Sequence, residues 1–126
     1  MLDERIYQSY IGILKEEMVP AMGCTEPIAL AYGAARAREV LGKEPEHITA
    51  KCSGNIIKNV RCVIIPNSGG LTGIEAGVVL GAVAGDPSLN MEVLSKVNES
   101  GRKRCRELLD KKICKVELLD SPVVLH

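Results

Sequence analysis

The sequence contains neither tryptophan nor phenylalanine, and its three tyrosines all lie in the first third of the chain. The scarcity of aromatic faces disfavours base stacking and aromatic caging of a ligand. Charge of one sign is missing as well, because sixteen basic and sixteen acidic residues cancel. No net field is present to recruit nucleic acid or an anionic membrane. The longest apolar stretch, Gly77 to Ala84, is far short of the roughly 20 residues that cross a bilayer. The amino terminus, Met-Leu-Asp-Glu-Arg, carries acids where a secretory leader needs a basic region followed by an apolar one. These absences point to a cytoplasmic protein that engages neither nucleic acid nor membrane.

What is present describes one domain with an aliphatic core: 126 residues, 46% of them hydrophobic, suffice for a single modest core. Five cysteines, Cys24, Cys52, Cys62, Cys105 and Cys114, show no CxxC pair and no zinc-type spacing. A disulfide framework would conflict with a cytoplasmic address. Most of them read as small buried hydrophobes.

Apolar residues recur at helical spacing from Asp3 to Met18, and Val19 to Gly23 breaks that pattern. Thr25 then suits an N-cap, with Glu26 and Pro27 in the first turn of an alanine-rich helix over Ile28 to Leu41 that Gly42 ends. Alternation predicts strands at Ile48 to Cys52 and Cys114 to Leu119, and the β-branched run Val60 to Ile65 predicts another. Asn67 to Gly70 is a loop. Leu71 to Ala84 reads as a helix with Gly73, Gly77 and Gly81 on one smooth face, which a second backbone can approach closely. A capped turn at Gly85 to Ser88 leads to helices at Leu89 to Val97 and Ser100 to Lys112, the latter basic through Arg102, Lys103, Arg104 and Arg106. The apolar end Val123-Val124-Leu125-His126 suggests a cut inside a larger fold, since domain ends are usually polar. The expected class is α+β: helices on a small mixed sheet from the 47–65 and 114–119 regions, forming the N-terminal part of a larger fold.

Three segments could carry chemistry. In Gly23-Cys24-Thr25-Glu26-Pro27 a thiol precedes a helix, where unpaired N–H groups and the helix dipole favour the thiolate; the alternative is a merely buried cysteine in a capped turn. Ser53-Gly54-Asn55, with Lys58 three residues on, offers a hydroxyl, an amide, backbone N–H groups and a point charge to a carboxylate; it reads equally as a tight turn. Asn67-Ser68-Gly69-Gly70 could present an anion-binding helix N-terminus, without the ending of a phosphate loop. Glu75 is either solvated or turned inward. His47 and His126 give little support to a catalytic dyad, and the basic cluster at Arg102 to Arg106 reads as a solvated helix face.

Together, the segment Pro20 to Ala29, then Ser53 to Val60, then Gly69-Gly70 and Gly73 to Ala76 closely resemble the L-cysteine desulfidase family, which is related to the α chain of iron–sulfur L-serine dehydratases. The resemblance implies a lyase that converts L-cysteine to pyruvate, ammonia and sulfide. It implies a 4Fe–4S cluster whose ligands lie outside this chain, and Cys24 as the base that takes the substrate's α-proton. Thr25, Glu26, Ser53, Gly54, Asn55 and Lys58 are the expected substrate-binding residues. Cys52, Cys62, Cys105 and Cys114 match no family cysteine and stay structural. The implied partners are a small amino acid and the remainder of the polypeptide or a partner subunit, and assembly of identical copies is compatible with the sequence. Two other readings remain: a serine dehydratase-like lyase acting on another small amino acid, and a non-catalytic domain that binds a small carboxylate or serves as a partner subunit.

Overall fold

A computed structural model describes residues 25–120. The expected helix at Asp3 to Met18, the thiol of Cys24 and the terminal stretch ending in His126 lie outside the described residues. The element order is α1 (Thr25–Leu41), β1 (Ile48–Cys52), α2 (Gly54–Val60), α3 (Ile74–Ala84), a short 3-10 helix (Pro87–Glu92), α4 (Glu99–Asp110) and β2 (Cys114–Leu118). The class is α+β.

Helix α1 starts at Thr25, so Thr25 lies in the first turn with Glu26 and Pro27, and the helix begins one residue earlier than an N-cap at Thr25 implies. It ends where Gly42 takes a positive φ of 79° and its N–H donates to the Arg38 carbonyl, the left-handed stop that glycine permits. Its buried side, Ile28, Ala31 and Ala35, packs on α3. There the backbones meet: a Cβ at Gly81 would lie 2.2 Å from the Ala31 carbonyl oxygen. Gly77 faces the tip of Ile65. The smooth glycine face expected of this helix is therefore used, although Gly73 is its N-cap and not part of it. Every residue from Ala76 to Ala82 is buried, and α3 is the axis of the core. Helix α4 closes the other side, with Cys105 and Leu108 turned inward.

Strands β1 and β2 pair in parallel, Ile48 opposite Cys114 and Cys52 opposite Leu118. The expected mixed sheet is thus a two-stranded parallel one among the described residues. The expected strand at Val60 to Ile65 is replaced by α2 and a turn, with one antiparallel bridge between Ile64 and Thr72. The physical reason is burial: Ile56 and Val60, four residues apart, both enter the core, which a helix allows from one face. The expected helix at Leu89 to Val97 is also corrected. Asp86 caps a 3-10 turn by accepting from the Ser88 N–H at 3.0 Å, and the chain kinks at Asn90. That kink lets the adjacent Val93 and Leu94 both bury completely.

Candidate functional site

The site begins at the carboxyl end of β1, where parallel strands commonly present functional residues. Leu119 N–H donates to the Cys52 carbonyl at 2.7 Å, so the chain segments that follow both strands start side by side. Ser53 comes next, buried and extended, and its carbonyl accepts the Ile57 N–H as α2 begins. Gly54 lies beside Leu118. On α2, Ile56 and Val60 take the core face, while Asn55 and Lys58 are exposed at a spacing of three and so share the outer side. The Ser53-Gly54-Asn55 segment is therefore the entry to a helix, with Ser53 buried and the Asn55 side chain exposed to solvent.

Of the first motif, Cys24 lies outside the described residues. Thr25 is exposed and Glu26 half-buried in the first turn of α1. Helices α1 and α2 pack against each other, so Thr25 and Glu26 stand on an element adjoining the one that carries Asn55 and Lys58.

The third motif is absorbed by the fold. Asn67 takes a positive φ of 56° and its amide donates to the Leu94 and Val97 carbonyls at 2.9 and 3.0 Å. Arg102 donates to the Asn67 side-chain oxygen at 2.9 Å and to Glu99 at 3.0 Å. Ser68 is buried, and its hydroxyl accepts the Leu71 N–H. The loop is a strap, so the expectation of an anion-binding loop is corrected. Glu75 is exposed, with its carboxylate folded back beside Gly73 at the start of α3.

The basic face of α4 is likewise more than a solvated surface. Arg104 bridges Glu44 and Glu107, and Arg106 pairs with Glu99. The Arg104 hydrogen bond holds the Glu44 carboxyl below its usual range. Arg38, not singled out from the sequence, donates from its guanidinium to the Gly85 carbonyl at 2.8 Å and ties α1 to the end of α3. A basic residue in the last turn of a helix was the available signal.

The described cysteines are free thiols. Burial pushes Cys105 up to about 11. Burial does the same to Cys114, helped by the Glu75 carboxylate, and it raises Cys52. Protonated and enclosed thiols of this kind are poor nucleophiles. Cys62 departs from the expectation of burial and is exposed. Among the described residues, no group of three or more His, Cys, Asp or Glu side chains is arranged to hold a metal ion. His47 is exposed. Among the described residues no helix is long and apolar enough to cross a membrane.

Comparison with known proteins gives one consistent name. The chain is 46% identical over 125 residues to a UPF0597 protein of Treponema denticola, covering 99% of this chain and 29% of that one. It is 48% identical over 121 residues to UPF0597 protein DSY1109 of Desulfitobacterium hafniense, with 96% and 28% covered. It is 53% identical over 114 residues to a UPF0597 protein of Finegoldia magna, with 90% and 27% covered. No family model and no solved structure matches. The expected assignment to the L-cysteine desulfidase family is corrected by these names, none of which is a desulfidase. The chain spans less than a third of the length of the curated relatives it matches, and it is similar to the amino-acid sequences of UPF0597 proteins over nearly all of its own length.

Proposed function

We propose that this chain supplies the carboxylate-binding part of a lyase that eliminates sulfide from L-cysteine to give pyruvate and ammonia. One observation carries the reading. Asn55 and Lys58 lie together on the outer side of α2, immediately after the buried Ser53 at the carboxyl end of a parallel strand. An amide and an ammonium three residues apart on one helix face can grip a carboxylate by hydrogen bonds and charge.

The chemistry asked of the remaining motif is proton removal. Cys24, next in sequence to the first residue of α1, takes the α-proton as its thiolate. The carbon–sulfur bond breaks, hydrosulfide leaves with the bonding pair, and aminoacrylate remains. That product gains a carbon-bound proton as it tautomerises to the imine, which water hydrolyses to pyruvate and ammonia. A 4Fe–4S cluster with ligands in polypeptide beyond these residues belongs to the same proposal, and when bound it would supply a Lewis acid.

The test uses the polypeptide at its native length, prepared without oxygen and offered L-cysteine and L-serine. Sulfide and pyruvate released together from L-cysteine is the expected result. Lys58→Met should raise KM about tenfold or more, the loss of one charge-assisted hydrogen bond. Cys24→Ala should abolish sulfide release; turnover at the wild-type rate would remove Cys24 from the mechanism. Pyruvate from L-serine alone would move the activity to a dehydratase. Binding of either amino acid without turnover would leave a carboxylate-binding domain.

A further inference from the structure

The sheet is narrower than the helical layer beneath it. Helices α1, α3 and α4 pack side by side, with α3 between its neighbours, whereas among the described residues only two strands lie against this layer, both on α3. On the α1 side this leaves a groove formed by two adjoining clefts of about 320 and 270 Å³, which share Ala34, Ala37, Ile48 and Thr49. All five residues of β1 line it between them, and no residue of β2 does. Both faces of a strand come into view together only at its edge, so the groove runs along the free edge of β1.

The backbone of that edge is poised for pairing. Ile48 N–H donates to the Ile113 carbonyl, and the Cys52 carbonyl accepts from Leu119 N–H, so Ile48 and Cys52 direct their peptide groups at β2. Strand alternation then turns the N–H and C=O of Thr49 and Lys51 to the opposite edge. Among the described residues β1 pairs with β2 alone. The far wall is the side of α1 carrying Ala29, Gly33 and Ala37, with Val78 of α3 at the floor. A Cβ on Gly33 would meet nothing within 4 Å. A solvent-facing helix side normally bears long polar residues. Here Val40 is 89% and Leu41 50% exposed at the end of the same helix.

We infer that a third β-strand, contributed in cis by polypeptide beyond these residues, adds to the free edge of β1 and lies across α1. Its backbone pairs with Thr49 and Lys51, and the small side chains of α1 leave room for its inward residues. Length argues for this occupant, because the relatives are more than three times as long as the segment matched here. Architecture argues for it as well, since parallel sheets are found with both faces covered and seldom as isolated pairs. A second copy fits the groove less well: two-fold pairing of β1 with its counterpart would bring two α1 helices to one edge.

Amide hydrogen exchange tests the inference on the 126-residue chain and on the polypeptide at its native length. The Thr49 and Lys51 amides should exchange at least about tenfold more slowly in the native-length protein. Equal exchange in the two would overturn the proposal. Protection that rises with concentration of the short chain assigns the edge to a second copy, and protection lost on deleting residues 1–24 assigns it to the N-terminal segment; either result overturns it. Gly33→Arg adds a second readout. It should not lower the short chain's melting point, since arginine favours an exposed helix over glycine, and it should lower that of the native-length protein, with the two amides released. An equal effect on both would count against a strand in the groove.

Discussion

Helix α1 has two sides built from small residues, and they have opposite fates. Ala31 and Ala35 are fully buried against α3, where Gly81 brings a second backbone into contact. Ala29, Gly33 and Ala37 line an open groove beside β1. Composition alone does not separate the two sides, since both carry alanines at helical spacing. The neighbour does. A small residue permits close approach, and an apposed glycine at Gly81 converts the permission into a requirement.

Gly81→Ala should break the closed side most severely. The added methyl would sit 2.2 Å from the Ala31 carbonyl oxygen and 2.5 Å from its Cα. Both are backbone atoms that no rotamer change can move. The helices must separate, at a cost of about 3 kcal/mol or more. Urea unfolding would read this as a lower midpoint with little change in slope. A midpoint within error of wild type would mean that α1 and α3 do not touch at this position.

This contrast also shows what was legible before the structure. The smooth face around Gly77 and Gly81 could be read because the glycines recur every four residues in an apolar stretch. The Gly42 stop, a capped turn within Gly85 to Ser88 and the alternation of β1 and β2 were legible for equally local reasons. The run Val60 to Ile65 reads as a strand because Val60, Val63, Ile64 and Ile65 have its residue types, and residues 56–59 stay open between a strand and a connection. The helical spacing of Ile56 and Val60 becomes decisive only once a core lies on one side. At the candidate site, residue chemistry singles out Ser53, Asn55 and Lys58, yet it does not foresee the helix that follows Ser53. The segment at Asn67 could be read as an anion site from sequence because its amide is satisfied by the distant carbonyls of Leu94 and Val97. Spacing cannot show such long-range partners.

The same substitution on the open side should have the opposite sign. At Gly33, interior to α1 and exposed, an added methyl meets nothing within 4 Å. Gly33→Ala removes backbone freedom from the unfolded chain and favours the helix, a gain of about 0.5–1 kcal/mol in the 126-residue chain. Thermal unfolding of the two alanine variants side by side sharpens the comparison: one melting point falls and the other rises. If both fall, the groove is filled in the chain as it stands.

The smallest effect tests what fastens the segment between α1 and β1, which borders the open groove. Glu44 lies in this connection and pairs with Arg104 of α4, both partly exposed. Exposed pairs of this kind contribute little, so pH gives a better signature than magnitude. The folded carboxyl of Glu44 is held below its ordinary value, first by the Arg104 hydrogen bond and then by the nearby positive charge. A depressed folded value means that the stabilisation is present above the unfolded value of about 4.3 and is lost as pH falls through the folded one. Glu44→Gln should therefore be slightly less stable than wild type at neutral pH, and the difference should fade on acidification below about pH 4. Added salt should shrink the neutral-pH difference as well. A gap that persists unchanged through acid and salt would show that Glu44 holds the connection by packing, not by charge.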